Sequence, residues 1–345
     1  MEDVKLTQFS PGAGCGCKIS PNELEKILHT KNISPNFQKL LVGYQSKDDA
    51  AVYDIGNGNA IISTTDFFTP IVDDAYDFGR IASVNAISDV YAMGGSPLMA
   101  IAILGWPLSK LSSDIAAKVI EGARFACNEA GIPLAGGHSI DIADPIFGLA
   151  VTGNVKIENL KQNNTAKPNS TLYLTKPIGI GVLSTAAKRN VLKPEHYKIA
   201  ISQMCELNKA GVFFGKLNYI NALTDVTGFG LCGHLLEMCE GSHLNAILYE
   251  KNIPLIDGID EYLQQETIPG GTHRNFKSYG HKIEGMTDRQ KKIYCDPQTS
   301  GGLLVSVDNT HVIDFQTVCA ENEINIWKIG ELTTKQNEKY ISFVE

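Results

Sequence analysis

The sequence predicts an α+β protein built as two domains with mixed or antiparallel sheets, and three observations carry that expectation. At 345 residues the chain exceeds what one hydrophobic core ordinarily serves. Strand-like and helix-like segments follow one another without the regular βαβ alternation of a doubly wound sheet. A polar stretch from Glu158 to Ser170, holding Asn163-Asn164-Thr165 and Pro168, has the composition of a connector. The expected division is a glycine-rich arm over residues 1–19, a first domain over 20–157, the connector over 158–170 and a second α+β domain over 171–345.

The elements follow in order. Gly12, Gly14 and Gly16 give the arm great backbone freedom, and a helix starts after Lys18, with Ser20 as N-cap, Pro21 at the first helical position and Glu23 completing a capping box. Asp49 to Ile55 and Ala60 to Thr65 read as strands joined through Gly56-Asn57-Gly58-Asn59, a hairpin connector. From Phe78 to Ala92 small and apolar residues recur at helical spacing, and Met93-Gly94-Gly95-Ser96-Pro97 supplies the stop. A buried strand is expected over Met99 to Trp106 and a long helix over Ser112 to Gly131. Ile132 to Ala135 reads as a strand ending at Gly136-Gly137-His138-Ser139, and Ile146 to Val155 as another. Past the connector come a strand over Thr171 to Thr175 and helices over Val182 to Arg189, Pro194 to Asn208 and Gly230 to Glu240.

Composition excludes several classes. Apolar residues make up 43% and charged residues 20%, which is ordinary for a globular protein. The apolar runs are too short to span a bilayer and no basic-then-apolar leader opens the chain, so a soluble, cytoplasmic protein is expected. A net charge of −8 without a basic stripe argues against nucleic acid as the main ligand. Cysteines at 15, 17, 127, 205, 232, 239, 295 and 319 show no Cys-x-x-Cys pair and no framework spacing, so neither zinc nor structural disulfides are expected. Six of them are expected in the core, whereas Cys15 and Cys17 stand in a glycine run that cannot pack.

The residues that could carry chemistry are mostly carboxylates. Asp48, Asp49, Asp66, Asp89 and Asp225 all fall near the ends of elements, close to glycine-rich turns, and carboxylates gathered from several elements suit hard cations that bridge phosphates. Each alone is equally readable as a cap or a solvated turn residue. Asp89 is the harder to dismiss, because it sits near a helix C-terminus, where the macrodipole disfavours an acid unless a cation is bound. Lys18 beside the arm cysteines favours a thiolate and could reach held phosphates. Gly137-His138-Ser139 offers backbone N–H groups, an imidazole and a hydroxyl to an anion, and is also readable as a satisfied polar loop. Gly179-Ile-Gly181 only approximates a dinucleotide fingerprint and reads as a tightly packed strand-to-helix turn.

Taken in order, Gly-Ala-Gly-Cys15-Gly-Cys17-Lys18, Asp48-Asp49-Ala-Ala-Val-Tyr, Thr-Thr-Asp66-Phe-Phe and Asn85-Ala-Ile-Ser-Asp89 resemble the selenophosphate synthetase (selenide, water dikinase) family. So do Gly136-Gly-His-Ser-Ile-Asp141, Asp225-Val-Thr-Gly-Phe-Gly-Leu, Pro269-Gly-Gly-Thr-His-Arg-Asn275 and Cys295-Asp-Pro-Gln-Thr-Ser-Gly-Gly-Leu, over residues 5 to 332. The last of these resembles a wider superfamily that includes aminoimidazole ribonucleotide synthetase, and the Cys-Gly-Cys-Lys arm is what discriminates.

The resemblance implies a two-domain fold of the aminoimidazole-ribonucleotide-synthetase type, a homodimer with sites shared between subunits, and a first domain that serves ATP, metal and dimerisation. It implies that selenide, ATP and water become selenophosphate, AMP and phosphate, supplying activated selenium for selenocysteine and selenium-modified tRNA. The selenium source is selenide or a protein-delivered donor. Mg²⁺, several ions per ATP, is implied as cofactor, with a monovalent cation such as K⁺ as a further candidate. By position Cys15 matches the essential cysteine and Lys18 a catalytic residue on the ATP phosphates. Asp49, Asp89 and Asp225 match metal ligands. Ser46, Lys47, Asp48, Asp66, Asp89, Gly137, His138 and Ser139 match the ATP site. Pro11 departs from relatives that carry histidine there. Two other readings stay open. A ligase or kinase of the same superfamily explains the aspartates but not Cys15 and Lys18; a non-enzymatic selenium or thiol carrier explains the cysteines but leaves the aspartates idle.

Overall fold

The computed structural model describes residues 4–9, 18, 19, 21–28 and 37–344. Cys15, Cys17, Pro11 and the expected N-cap Ser20 lie outside the described residues. The helix that the capping pattern points to is present as α1 (Pro21–Leu28).

The first half builds one six-stranded sheet from β1 (Leu40–Val42), β2 (Ala51–Gly56), β3 (Asn59–Phe68), β4 (Ser96–Trp106), β5 (Leu134–Asp141) and β6 (Ile146–Lys156), in the order β1-β2-β3-β6-β4-β5. All neighbours are antiparallel except β4 and β5. The β2–β3 hairpin turns where expected, with Gly56, Asn57 and Gly58 all at positive φ. Two helices cover one face, α2 (Ala75–Ala92) and α3 (Ser113–Glu129). Asp74 caps α2 by accepting the Asp77 N–H at 2.8 Å. Almost every side chain of α2 is buried, so it is a core helix rather than an amphipathic surface one. It meets α3 at two glycines: a Cβ on Gly79 would stand 1.8 Å from the Val119 carbonyl oxygen, and one on Gly122 1.9 Å from that of Tyr76. Backbone contact that close is open only to glycine.

The second half repeats the six-stranded plan with β7 (Ser170–Leu174), β8 (Ile220–Asp225), β9 (Leu244–Tyr249), β10 (Leu303–Asp308), β11 (Trp327–Thr334) and β12 (Ile341–Val344), in the order β12-β9-β11-β7-β10-β8. Again one edge pair, β12 with β9, is parallel and the rest antiparallel. Helices α4 (Ile180–Lys188), α5 (Pro194–Met204), α6 (Ala210–Gly215) and α7 (Gly230–Ser242) come first. After β9 follow α8 (Ile259–Gln264), α9 (Gly270–Tyr279), α10 (Asp288–Tyr294) and α11 (Val312–Glu321). The architecture is thus α+β with mixed sheets, as the element order predicts.

Two local expectations are corrected. Gly136-Gly137-His138-Ser139 does not end a strand; it runs through the middle of the edge strand β5, paired with Ala102 to Leu104 of β4. Register with a neighbouring strand overrode the turn propensity of the two glycines. The helix expected to reach Asn208 ends at Met204, and the Asn208 side chain is used instead as an internal hydrogen-bond donor. The polar segment between β6 and β7 is tied into the fold. Lys161 is buried with Nζ donating to the Leu217 and Ile220 carbonyls at 2.9 Å each, and Asn163 donates to the Lys47 carbonyl at 2.8 Å. Its polar groups are there to satisfy buried backbone, which composition alone does not distinguish from solvation.

Cys127, Cys205, Cys232, Cys239, Cys295 and Cys319 are free and buried, as their scattered spacing predicts. Burial pushes the Cys127 thiol up to about 11 and Cys205 up to about 12, which makes them inert packing groups. Among the described residues no helix is long and apolar enough to cross a membrane.

Candidate active site

The carboxylates converge where the two halves meet. Tyr44 to Ser46 form one short 3₁₀ turn, closed by Lys47 in the left-handed conformation, and this projects Asp48 and Asp49 inward ahead of β2. Asp66 stands near the end of β3, Asp89 in the last turn of α2 and Asp225 at the end of β8. Together with Lys18 and Lys47 they line one cavity of about 800 Å³. Only the backbone of Ser46 is described, in the turn beside the cavity.

Each acid is held by a neutral donor. Asp66 Oδ2 accepts from Asn85 Nδ2 at 2.6 Å and faces Lys18 Nζ at 3.3 Å. Asp89 accepts the Thr64 hydroxyl and Asp225 the Ser88 hydroxyl, both at 2.5 Å; Asp49 accepts the Thr224 hydroxyl at 2.8 Å. Asp48 Oδ1 accepts the Asn163 N–H at 3.2 Å. The second oxygens of Asp48 and Asp49 are buried without any partner.

Negative charge is therefore crowded and undersolvated. Burial lifts the Asp48 carboxyl to about 7. It lifts Asp49 well above the usual range, and the charges of Asp225, Asp48 and Asp89 add to the effect. Asp89 is raised well above its ordinary value by burial and then by Asp225 and Asp66, and Asp225 is raised by burial against the opposing Ser88 bond. Such a set stays ionised only beside cations. Hard carboxylate oxygens, two of them orphaned, fit a divalent ion of the Mg²⁺ kind. Among the described residues no three acidic, histidine or cysteine side chains are placed to hold a metal ion by themselves, so an ion here would draw the rest of its shell from water and phosphate oxygens.

Gly137, His138 and Ser139 are not brought to this cavity within one chain. They border a separate hollow of about 250 Å³ with Arg124, on the edge strand. β6 and β4 lie between β3 and β5, so the two places are three strand steps apart, about 14 Å.

The Gly179-Ile-Gly181 turn is closed to phosphate. Asp296 Oδ2 accepts the N–H groups of Gly181 and Val182 at 2.9 and 3.3 Å, and Gln298 Oε1 those of Gly179 and Ile180 at 3.0 and 3.1 Å. The helix N-terminus already holds an internal carboxylate, whose complete burial raises it to about 8.

Sequence reasoning missed Thr227, Phe229, His234 and Glu237, which also line the acidic cavity. A signal was present. His234 and Glu237 lie three apart on the helix that opens just past Asp225-Val-Thr-Gly-Phe-Gly, a spacing that puts both on one face.

Family models of AIR synthase related proteins match both halves, the N-terminal domain over residues 47–155 and the C-terminal domain over 167–342. A crystal structure of thiamine-monophosphate kinase from Stenotrophomonas maltophilia shares the fold at a TM-score of 0.66 and 15% identity, over 93% of this chain and 94% of that one. Fold and paired domains thus define a protein of the AIR synthase related class. Within that class, a selenide, water dikinase of Yersinia pseudotuberculosis is 57% identical over 336 residues, 97% of each chain. Another from Aeromonas hydrophila is 56% identical over 347 residues, the full length of both. The chain belongs to the selenide, water dikinase family.

Proposed function

We propose that this chain makes selenophosphate from selenide, ATP and water, releasing AMP and phosphate. The observation that carries the reading is the cavity in which Lys18 faces Asp66 while Asp49, Asp89 and Asp225, from three different elements, crowd uncompensated charge. An acidic cavity lined by Lys18 and Lys47 suits a polyphosphate that arrives with its cations. Asp49, Asp89 and Asp225 would hold Mg²⁺, with Asp48 and Asp66 beside them. Ions bound there supply charge neutralisation to the phosphate oxygens. K⁺ is a further candidate for the same oxygen-rich surroundings. Lys18 orients the phosphates, and Lys47 and Ser46 border the nucleotide. Cys15, three residues before Lys18, handles the selenium.

The active unit is a homodimer. The sheet face opposite α2 and α3 leaves Tyr53, Phe67, Met99, Ile101 and Ile140 exposed on one side, an apolar surface that a second copy covers. Phe67 also lines the acidic cavity, so a partner docked on this face brings its edge strand, with Gly137, His138 and Ser139, toward that cavity. The enzyme works in the cytoplasm, in keeping with its free buried thiols. Phosphorus NMR of ATP with Mg²⁺ and selenide tests the reaction. AMP together with a selenium-coupled phosphate signal is expected, and ATP hydrolysis without that signal rejects it.

A further inference from the structure

The reaction proposed above uses water as its second acceptor, and a water that attacks phosphorus must lose a proton. The five aspartates are poorly suited to take it. They are the groups assigned to the cations, and a carboxylate beside a bound cation is a weaker base. Lys18 and Lys47 are already assigned to the nucleotide. Among the described residues that border the cavity, one is a histidine.

That residue is His234, on the first turns of α7, with its side chain only 8% exposed. Glu237 Oε2 lies 3.4 Å from its Nδ1, and the Thr227 hydroxyl 3.3 Å from its Nε2. The Phe229 ring stacks against the imidazole with centroids 5.6 Å apart. A carboxylate at Nδ1 favours the tautomer with its proton there, and Nε2 is then the acceptor, to which the Thr227 hydroxyl donates until a water at the cavity takes its place. Glu237, His234 and Thr227 all border the cavity, with the imidazole between the other two.

We infer that His234 is the proton acceptor of the water half-reaction, with Glu237 and Thr227 as its positioning residues; this rests on the dikinase reading of the same cavity. The water oxygen bonds to the phosphoryl group that ends as inorganic phosphate. The bridging P–O bond breaks, its electron pair stays with the departing nucleotide, and the water's proton goes to Nε2. Glu237 stabilises the imidazolium through Nδ1, and the proton leaves to solvent after phosphate does.

The test separates the two halves of the reaction. His234→Asn keeps a donor toward Glu237 and removes the Nε2 acceptor. It is expected to slow release of inorganic phosphate by roughly 10²–10⁴-fold, the worth of a general base. ATP affinity in Mg²⁺, measured by calorimetry, is expected to stay within about 3-fold, because the imidazole acts in the transition state. Glu237→Gln is expected to slow the same step by roughly 10–100-fold and supplies the readout should His234→Asn fail to fold. Phosphate release at the unaltered rate in both variants, or a loss of ATP affinity as large as the loss of rate, overturns the assignment. The selenium-coupled phosphorus signal of the unaltered protein decides the dikinase reading separately: its absence counts against that reading, and slow phosphate release beside an intact signal counts for His234.

Discussion

Ser88 on α2 and Asp225 at the end of β8 are 137 positions apart, and the Ser88 hydroxyl donates to Asp225 Oδ2 at 2.5 Å with both residues buried. The same Ser88 oxygen accepts from Asn208 at 2.8 Å, which donates its other proton to the Gly301 carbonyl at 2.8 Å. Three residues earlier on the same face of α2, Asn85 donates to Asp66 and accepts the Ser300 N–H at 2.8 Å. The Asp-Pro-Gln-Thr-Ser-Gly-Gly segment thus fixes the carboxylates of both halves against one helix without entering the cavity.

Ser88→Ala is expected to cost about 1–3 kcal/mol of stability, since it leaves the Asn208 donor and an Asp225 oxygen buried and unpaired. It also removes the one hydrogen bond that lowers the Asp225 pKa, so Mg²⁺ binding weakens. Thermal unfolding and Mg²⁺ titration calorimetry check both.

The metal-free protein is expected to melt lower at pH 8 than at pH 5.5. Folding raises Asp48 to about 7 and Asp296 to about 8 from an ordinary 3.8, so between those values the native state binds protons that the unfolded chain has released. Stability therefore falls as pH climbs from about 4 to 8. Lys161 and Lys176, held down at about 8, begin to reverse the slope only above that. Mg²⁺ at pH 8 should raise the melting temperature, and by less in Asp49→Asn, which also starts from a more stable metal-free state.

Lys18→Gln is expected to reduce selenide-dependent AMP formation about tenfold or more, the worth of a charge-assisted phosphate contact. Its melting temperature should barely move, because the Lys18–Asp66 pair is partly solvated. Cys15→Ser should abolish turnover without unfolding the protein, and Cys17→Ser should be milder. Phosphate and AMP assays beside a melting curve distinguish the cases.

Ile101→Asp places a charge in the middle of the exposed apolar sheet face and is expected to yield inactive monomers, read by analytical ultracentrifugation with an activity assay. Mixing a His138→Ala, Ser139→Ala subunit with a Lys18→Gln, Asp89→Asn subunit should restore up to one intact site per heterodimer; sites contained within one chain would restore nothing.

Gly79→Ala tests the α2–α3 crossing. The added methyl meets the Val119 backbone, which cannot swing aside as a side chain could, so a loss of at least about 1–3 kcal/mol is expected on denaturant unfolding.

The sequence by itself determined what is local. Glycine and asparagine at positive φ place the β2–β3 hairpin, small apolar residues at helical spacing mark α2, and scattered cysteines predict a thiol-lined core. The family was legible in motifs whose order survives along the chain. Only the tertiary structure decided which of those motifs meet. Asp49 finds Thr224 across 175 positions and Asp225 finds Ser88 across 137, and nothing periodic in the sequence encodes contacts at such separation. Tertiary pairing also drew Gly136 to Ser139 into an edge strand and filled the α4 N-terminus with Asp296. The physical reason is the same in each case. A buried N–H, hydroxyl or carboxylate must find a partner, and which one it finds depends on how two sheets and one shared helix pack, not on its neighbours in the chain.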